Sequence, residues 1–432
     1  MINLKALIKK NTILKMTSFN AVVIVIRLVI SFFIMRFLAV TLGEAGIAKI
    51  GSLRNVVQIL TSTSSLGTFN GIVKYVSENE QDQNRISKLF SAVFIFGVIG
   101  SVLSGAILFF SATYLSVNLF GDDSYVTLIR CLAFLPPIIG LNRIFYGVIN
   151  GLSDYKKYAK IELVSYLFSA ALLLIFLYSF SLKGVLFSII LTPILSFAVI
   201  LMFFYKRLRS YIHLNELSFD LSFAKPLLAF TLMSFISSVL INYIELDIRT
   251  TITNRINISE AGYWTAINYL SKNYMVFSSS IFTLYVIPKF AKIHTGVAFK
   301  KEVFHIYKTI LPLFGLGMLL VYLFRNVIIQ LVFPGFDGLE PLFKWQLLGD
   351  FVRLATLVIS YQFLAKKMVW SFVVTELISL GLFYGLSKYL VDIYGAEGVV
   401  MAHFYRYAIY FFIVIFAVWN YFKNQDKKQK DA

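Results

Sequence analysis

LFSAVFIFGVIGSVLSGAILFFSAT, residues 89–113, runs for 25 positions without one charged side chain. As an α-helix rising 1.5 Å per residue it outspans the ~30 Å hydrocarbon core of a bilayer. It is apolar all round, as a membrane span is, and lacks the polar face of a surface helix. Working outward, runs of the same kind recur from end to end: 12–38, 45–73, 88–113, 125–149, 160–179, 183–204, 225–248, 262–288, 303–324, 341–364, 369–388 and 396–421. Of the 432 residues 58% are hydrophobic and only 14% charged, where soluble domains carry about 25% charge, and mean hydropathy is +0.77. The expectation is an all-α integral membrane protein of about twelve helices, with no intervening stretch long enough for a soluble domain.

The net charge of +18 sits in short loops on one side of the bilayer, which argues against a nucleic-acid face. Lys5, Lys9, Lys10 and Lys15 begin that side and Lys423, Lys427, Lys428 and Lys430 end it, with Lys156, Lys157, Lys160, Lys300 and Lys301 among those between. The opposite loops hold only Lys183, Arg249, Arg255, Arg325 and Lys388. The positive-inside rule then places both termini in the cytoplasm, and the basic start leads into a first span with no cleavage site. Cys131 stands alone in an apolar run, and the four histidines lack ligand spacing, so neither a metal nor a cofactor is expected.

The chain also repeats itself. Glu44-Ala45-Gly46 returns as Glu260-Ala261-Gly262, Glu162-Leu163-Val164-Ser165 as Glu376-Leu377-Ile378-Ser379, and Gly184-Val185 as Gly398-Val399. The reading is a parallel internal repeat: a six-helix lobe over 1–204, a cytoplasmic linker over 205–224, a second lobe over 225–422 and a basic tail over 423–432.

No phosphate loop, nucleophile elbow or H-E-x-x-H pair occurs, so a transporter is expected rather than an enzyme. The informative residues are charges inside spans, each costing about 2.5 to 3.5 kcal/mol at a helix centre unless it meets water, a partner or a ligand. Arg27, Arg54 and Lys272 have no carboxylate close in sequence, and a ligand role is favoured for them. Lys272 falls near the repeat counterpart of Arg54. Arg130 and Arg143 add cations in the fourth span. In the tenth, Asp350 and Arg353 lie one turn apart, which leaves pairing and function equally open. His403 and Arg406 share a face of the twelfth span as a candidate proton site. Glu162 and Glu376 read as structural, and Arg36, Arg249 and Arg325 as side chains that snorkel to the interface.

Three runs carry a family resemblance. Gly67-Thr68-Phe69-Asn70-Gly71-Ile72-Val73-Lys74-Tyr75-Val76, Phe230-Thr231-Leu232-Met233 and Trp345-Gln346-Leu347-Leu348-Gly349-Asp350 resemble motifs of the Wzx-type flippases of bacterial surface polysaccharide synthesis. These include O-antigen translocases and flippases of the enterobacterial common antigen lipid III. The resemblance implies a fold like the multidrug (MATE) and polysaccharide exporters of the MOP superfamily, working by alternating access. It implies an undecaprenyl-diphosphate-linked oligosaccharide as cargo, moved from the cytoplasmic to the periplasmic leaflet as part of lipopolysaccharide or common-antigen synthesis. A polysaccharide polymerase and a chain-length regulator are the implied partners beside membrane lipids, and proton or sodium coupling stays open. Asn70, Lys74 and Asp350 carry over as matched positions without individual roles. The rival readings are a multidrug or cation antiporter, expected to line its cleft with acidic groups, and a membrane-embedded polymerase or transferase, expected to carry a large outer loop.

Overall fold

The computed structural model describes residues 12–152, 154–211 and 222–430, all in helices and short connections, with no strand among them. Half of the 205–224 linker, residues 212–221, and the lysines at 5, 9 and 10 lie outside the described residues. The helices are α1 (Thr12–Thr63), α2 (Phe69–Glu78), α3 (Gln83–Phe110), α4 (Ala112–Phe120), α5 (Val126–Ala133), α6 (Pro136–Gly151), α7 (Tyr155–Tyr211), α8 (Ala224–Ser234), α9 (Ile241–Arg255), α10 (Ile258–Ile281), α11 (Ile287–Ala291), α12 (Gly296–Leu323), α13 (Arg325–Val332), α14 (Glu340–Ala365) and α15 (Val369–Lys430). Short π-helical segments, Phe235–Leu240 and Phe282–Val286, join α8 to α9 and α10 to α11.

Three rods of 52, 57 and 62 residues are far too long for one crossing. Each is broken by one residue with positive φ: Gly43 (φ 62°), Ser181 (φ 52°) and Gly395 (φ 59°). In the last two the chain folds back on itself within a few residues. A Cβ on Gly184 would fall inside contact of the Phe176 carbonyl oxygen, and one on Gly398 inside that of Leu390, each eight positions earlier. Eight residues of straight helix span ~12 Å, so only a hairpin brings these atoms together. The repeated Gly-Val pairs thus mark equivalent turns where backbone meets backbone. With each kinked rod counted as two crossings and α5 with α6 as one span bent by 49°, there are eleven apolar crossings among the described residues, and α10 is of spanning length but more polar.

The second crossing ends ten residues sooner than hydropathy suggests. Leu66 (φ 46°) and Gly67 (φ 68°) break it after Thr63, and α2 continues as a separate helix. The fourth is interrupted between Ala133 and Pro136, since a proline ring disfavours helix in the residue before it.

The chain divides into two compact units, Met1–Ile34 with Lys49–Leu246, and Met35–Ala48 with Asp247–Ala432. The core of the first joins Ile72, Val76, Leu89, Phe90, Ile144, Val148 and Phe204 from α2, α3, α6 and α7. In the second, the two copies of Glu-Ala-Gly lie against each other: a Cβ on Gly262 would strike the Glu44 backbone.

Candidate functional site

In the first unit, α1 and the first limb of α7 bring Arg27 and Glu162 into an ion pair of 2.5 Å. The Arg27 guanidinium also lies 5.2 Å over the Tyr166 ring, whose hydroxyl donates to the Arg27 carbonyl at 3.2 Å. Both charged side chains stay partly accessible, at 39% and 28%. Arg143 in α6 stacks 4.0 Å over Phe69, the phenylalanine of the first family-like run. It lies within electrostatic reach of Glu162, but its Nε is buried with no hydrogen-bond partner among the described residues. Tyr146 and Tyr158, 5.6 Å apart edge to face, complete the group. Arg27 thus holds Glu162 while Arg143 lies within electrostatic reach of the same carboxylate, a cluster of aromatic rings with cationic excess. Arginine there offers paired donors to phosphate oxygens.

The glycines of the same run set its packing. A Cβ on Gly67 would come within 2.6 Å of the Ser234 Cβ, and one on Gly71 within 2.7 Å of Leu227, so α8 approaches α2 only because both are glycine. Thr231, in the Phe-Thr-Leu-Met run, faces Gly67, and Lys74 lies 6.0 Å from the Phe230 ring and 3.9 Å from Glu78. Asn70 is exposed. Higher in the same pair of crossings Ser62 donates to or accepts from Ser238 at 2.7 Å, and Asn55 donates to Asn242 at 2.8 Å and Glu245 at 2.9 Å. Asn55 and Ser62 are polar residues of the second span, one position beyond Arg54 and Thr61, a signal the sequence carries without its partners.

The second unit holds a different constellation. Asp350 in α14 is wholly buried and accepts from Ser271 at 2.6 Å, Gln346 at 3.1 Å and the Tyr274 hydroxyl. His403 Nε2 lies 3.1 Å from its other oxygen and must carry the proton, because a carboxylate only accepts; Arg353 stands at 3.9 Å. Arg406 pairs with Glu376 at 3.4 Å and donates to Ser379 at 2.7 Å, while Tyr410 donates to Glu376 at 3.0 Å. Arg353 and Arg406 both lie over the Tyr407 ring. All four coupling candidates therefore fall in one network. The third run explains itself: Trp345 donates to Glu397, Gln346 to Asp350, and Gly349 leaves room for His403, whose Cδ2 a Cβ would meet at 2.5 Å.

Other candidates lie apart. Arg130 is exposed, 5.5 Å over Phe109, across the bend from Arg143. Arg54, half-buried, belongs to the first unit and Lys272, exposed, to the second, and each has interactions of its own. Arg249 does not snorkel: it is 4% exposed, donates to Thr265 at 2.8 Å and lies over Trp264, because its span continues six residues past it. No cluster of three or more metal-ligating side chains occurs among the described residues.

A family model described as polysaccharide biosynthesis protein matches residues 13–294. The chain is 27% identical over 397 residues to the Lipid III flippase of Escherichia coli (strain K12), covering 89% of this chain and 93% of that protein, and equally to the Lipid III flippase of Shigella flexneri. Among solved structures it is similar to an inward-facing MATE family multidrug resistance transporter of the MOP superfamily, with TM-score 0.76 and 14% identity over 93% of this chain and 96% of the other. It is similar also to the lipid II flippase MurJ in its inward closed conformation, with TM-score 0.69 and 16% identity over 93% and 87%. At these identities the likeness establishes the fold, that of the MOP-superfamily transporters.

Proposed function

The chain belongs to the family of polysaccharide biosynthesis proteins, and we propose that it is a flippase moving an undecaprenyl-diphosphate-linked oligosaccharide from the cytoplasmic to the periplasmic leaflet by alternating access. It acts as a transporter of the inner membrane, not an enzyme, with both termini cytoplasmic. The end-to-end similarity to lipid III flippases supports the cargo class. The observation that carries the site is Arg143, a half-buried side chain whose buried Nε is unanswered among the described residues, beside an Arg27 whose ion-pair carboxylate is partly exposed and exchangeable. A diphosphate entering the first unit displaces Glu162 from Arg27 and answers Arg143, while Tyr146, Tyr158 and Phe69 offer faces to the first sugar. Arg54, Asn70, Lys74, Arg130 and Lys272 are assigned to earlier or later contacts along the path.

Two negative charges crossing the whole field would be driven outward by roughly 4 to 5 kcal/mol per 100 mV of inside-negative potential. Thermodynamically that suffices; a coupled proton or sodium ion would act at the Asp350–His403 pair. A polymerase and a chain-length regulator would receive the cargo. A drug antiporter is disfavoured because Asp350 is fully buried and already engaged by four donors, so that carboxylate is not open to a cationic drug.

Reconstitution into liposomes with labelled lipid-linked oligosaccharide tests the reading directly. Arg143→Ala and Arg27→Ala are each expected to cut flipping at least tenfold, about 1.4 kcal/mol or more, at normal protein levels. Wild-type rates in both variants would remove the site, and absence of flipping by the unaltered chain would remove the function.

A further inference from the structure

At the lysine-rich end of the second unit, the first turns of α12, the later part of α14 and the end of α15 enclose a groove of about 810 Å³. Its walls are apolar: Val303, Ile359, Ile415 and Val418 line it, and Phe299 stacks on Phe422 at 5.1 Å. Gly296 makes the groove's end, where a Cβ would stand 3.3 Å from that of Phe422. Two lysines, Lys300 and Lys423, stand on this wall, both exposed. Neighbouring Lys289 has Glu302 at 3.7 Å, whereas neither Lys300 nor Lys423 has a carboxylate partner among the described residues. Lys423 instead lies 4.9 Å over the Trp419 ring, an aromatic that is 55% exposed, and Val297 beside Gly296 is 84% exposed.

An apolar trough with two cations that lack a carboxylate partner among the described residues complements an amphiphile with an anionic head. Tryptophan and lysine together at a span end mark headgroup depth. A zwitterionic lipid would leave both lysines without net compensation, and a soluble anion would leave the apolar wall open. We propose that this groove holds one anionic phospholipid of the cytoplasmic leaflet, its phosphate between Lys300 and Lys423 and an acyl chain along Val303, Ile359, Ile415 and Val418. The leaflet follows from the charge distribution already assigned to the cytoplasm, where anionic lipids attract basic side chains. The site is separate from the cargo cluster of the first unit, so it stands whether or not the cargo is the one proposed.

Native mass spectrometry of the full chain, delipidated in detergent and titrated with phosphatidylglycerol or phosphatidylethanolamine, tests it. One phosphatidylglycerol is expected to be retained with about tenfold preference. The Lys300→Gln, Lys423→Gln double variant should lose that preference, and the Lys300→Arg, Lys423→Arg double variant should keep it. Ile415→Trp, which fills the trough without touching the charges, should lower retention of phosphatidylglycerol and provides a second reading if the glutamine variant fails to fold. Equal retention of the two lipids, unchanged retention by the glutamine variant, or displacement of the lipid by inorganic phosphate would overturn the assignment. So would displacement by equimolar polyprenyl diphosphate, which would make the groove part of the cargo path.

Discussion

Asp350→Asn is expected to destabilise the protein by about 3 kcal/mol, and the figure follows from the surroundings of the carboxylate. Its side chain is completely buried and satisfied by Ser271, Tyr274, Gln346 and His403, with Arg353 at 3.9 Å. Hydrogen bonds to a charged group are worth about 1.5 to 3 kcal/mol and neutral ones about 0.5 to 1.5, so neutralising the acceptor weakens every bond at once. The amide also turns two donors toward groups that already donate. Breaking a buried ion pair costs ~3 to 5 kcal/mol in water-soluble proteins, while interhelical hydrogen bonds in membranes average about 0.6, which brings the expectation to the lower end of the first range. The Arg353 contribution is small, since that side chain is 32% exposed and its partner distant. Unfolding in mixed micelles of increasing SDS content reads the change, with thermal melting as a check; at about 1 °C per kcal/mol for a chain of this length the midpoint should fall by ~3 °C. A midpoint within 1 °C of the unaltered protein would refute the view of Asp350 as a structural hub. Loss of flipping at that unaltered stability would assign it to ion coupling alone.

The Arg27–Glu162 pair should behave oppositely. A double-mutant cycle with Arg27→Ala and Glu162→Ala is expected to give a coupling of only ~0.2 to 1 kcal/mol, because both partners are partly exposed, and a coupling above about 2 would show the pair to be structural. Gly398→Ala drives a Cβ into the Leu390 carbonyl and should cost ~1 to 3 kcal/mol in SDS unfolding, with no change if the turn can open. Ser181 occupies the φ 52° position that Gly395 fills in the repeat, so Ser181→Gly should stabilise by about 1 kcal/mol once strain relief is set against the added freedom of the unfolded chain; destabilisation would mean the serine is not strained there.

Hydropathy alone yields the crossings, since lipid demands apolar length and a closed hydrogen-bonded backbone whatever the tertiary arrangement. Repeated Gly-Val pairs are likewise legible, although the reason, a carbonyl oxygen eight residues back, emerges only from the folded hairpin. The motifs of the resemblance could be quoted but not interpreted. Gly67 and Gly71 exist for the approach of Thr231, Ser234 and Leu227, about 160 positions away in sequence, and Gly349 for that of His403. Charges inside spans were conspicuous from their desolvation cost.

What local sequence cannot disclose is who neutralises them. Arg27 has no acidic neighbour along its helix, yet Glu162 reaches it across 135 positions. Asp350 meets Ser271 and Tyr274 across 79 and 76 positions, and His403 across 53. Chain length and hydrophobic pattern determine that helices form and how many cross the membrane, because those are properties of single segments in a solvent. Which buried charge is answered and which, like Arg143, is left with an open donor is settled by side chains meeting between segments, and only the tertiary packing of each unit decides that.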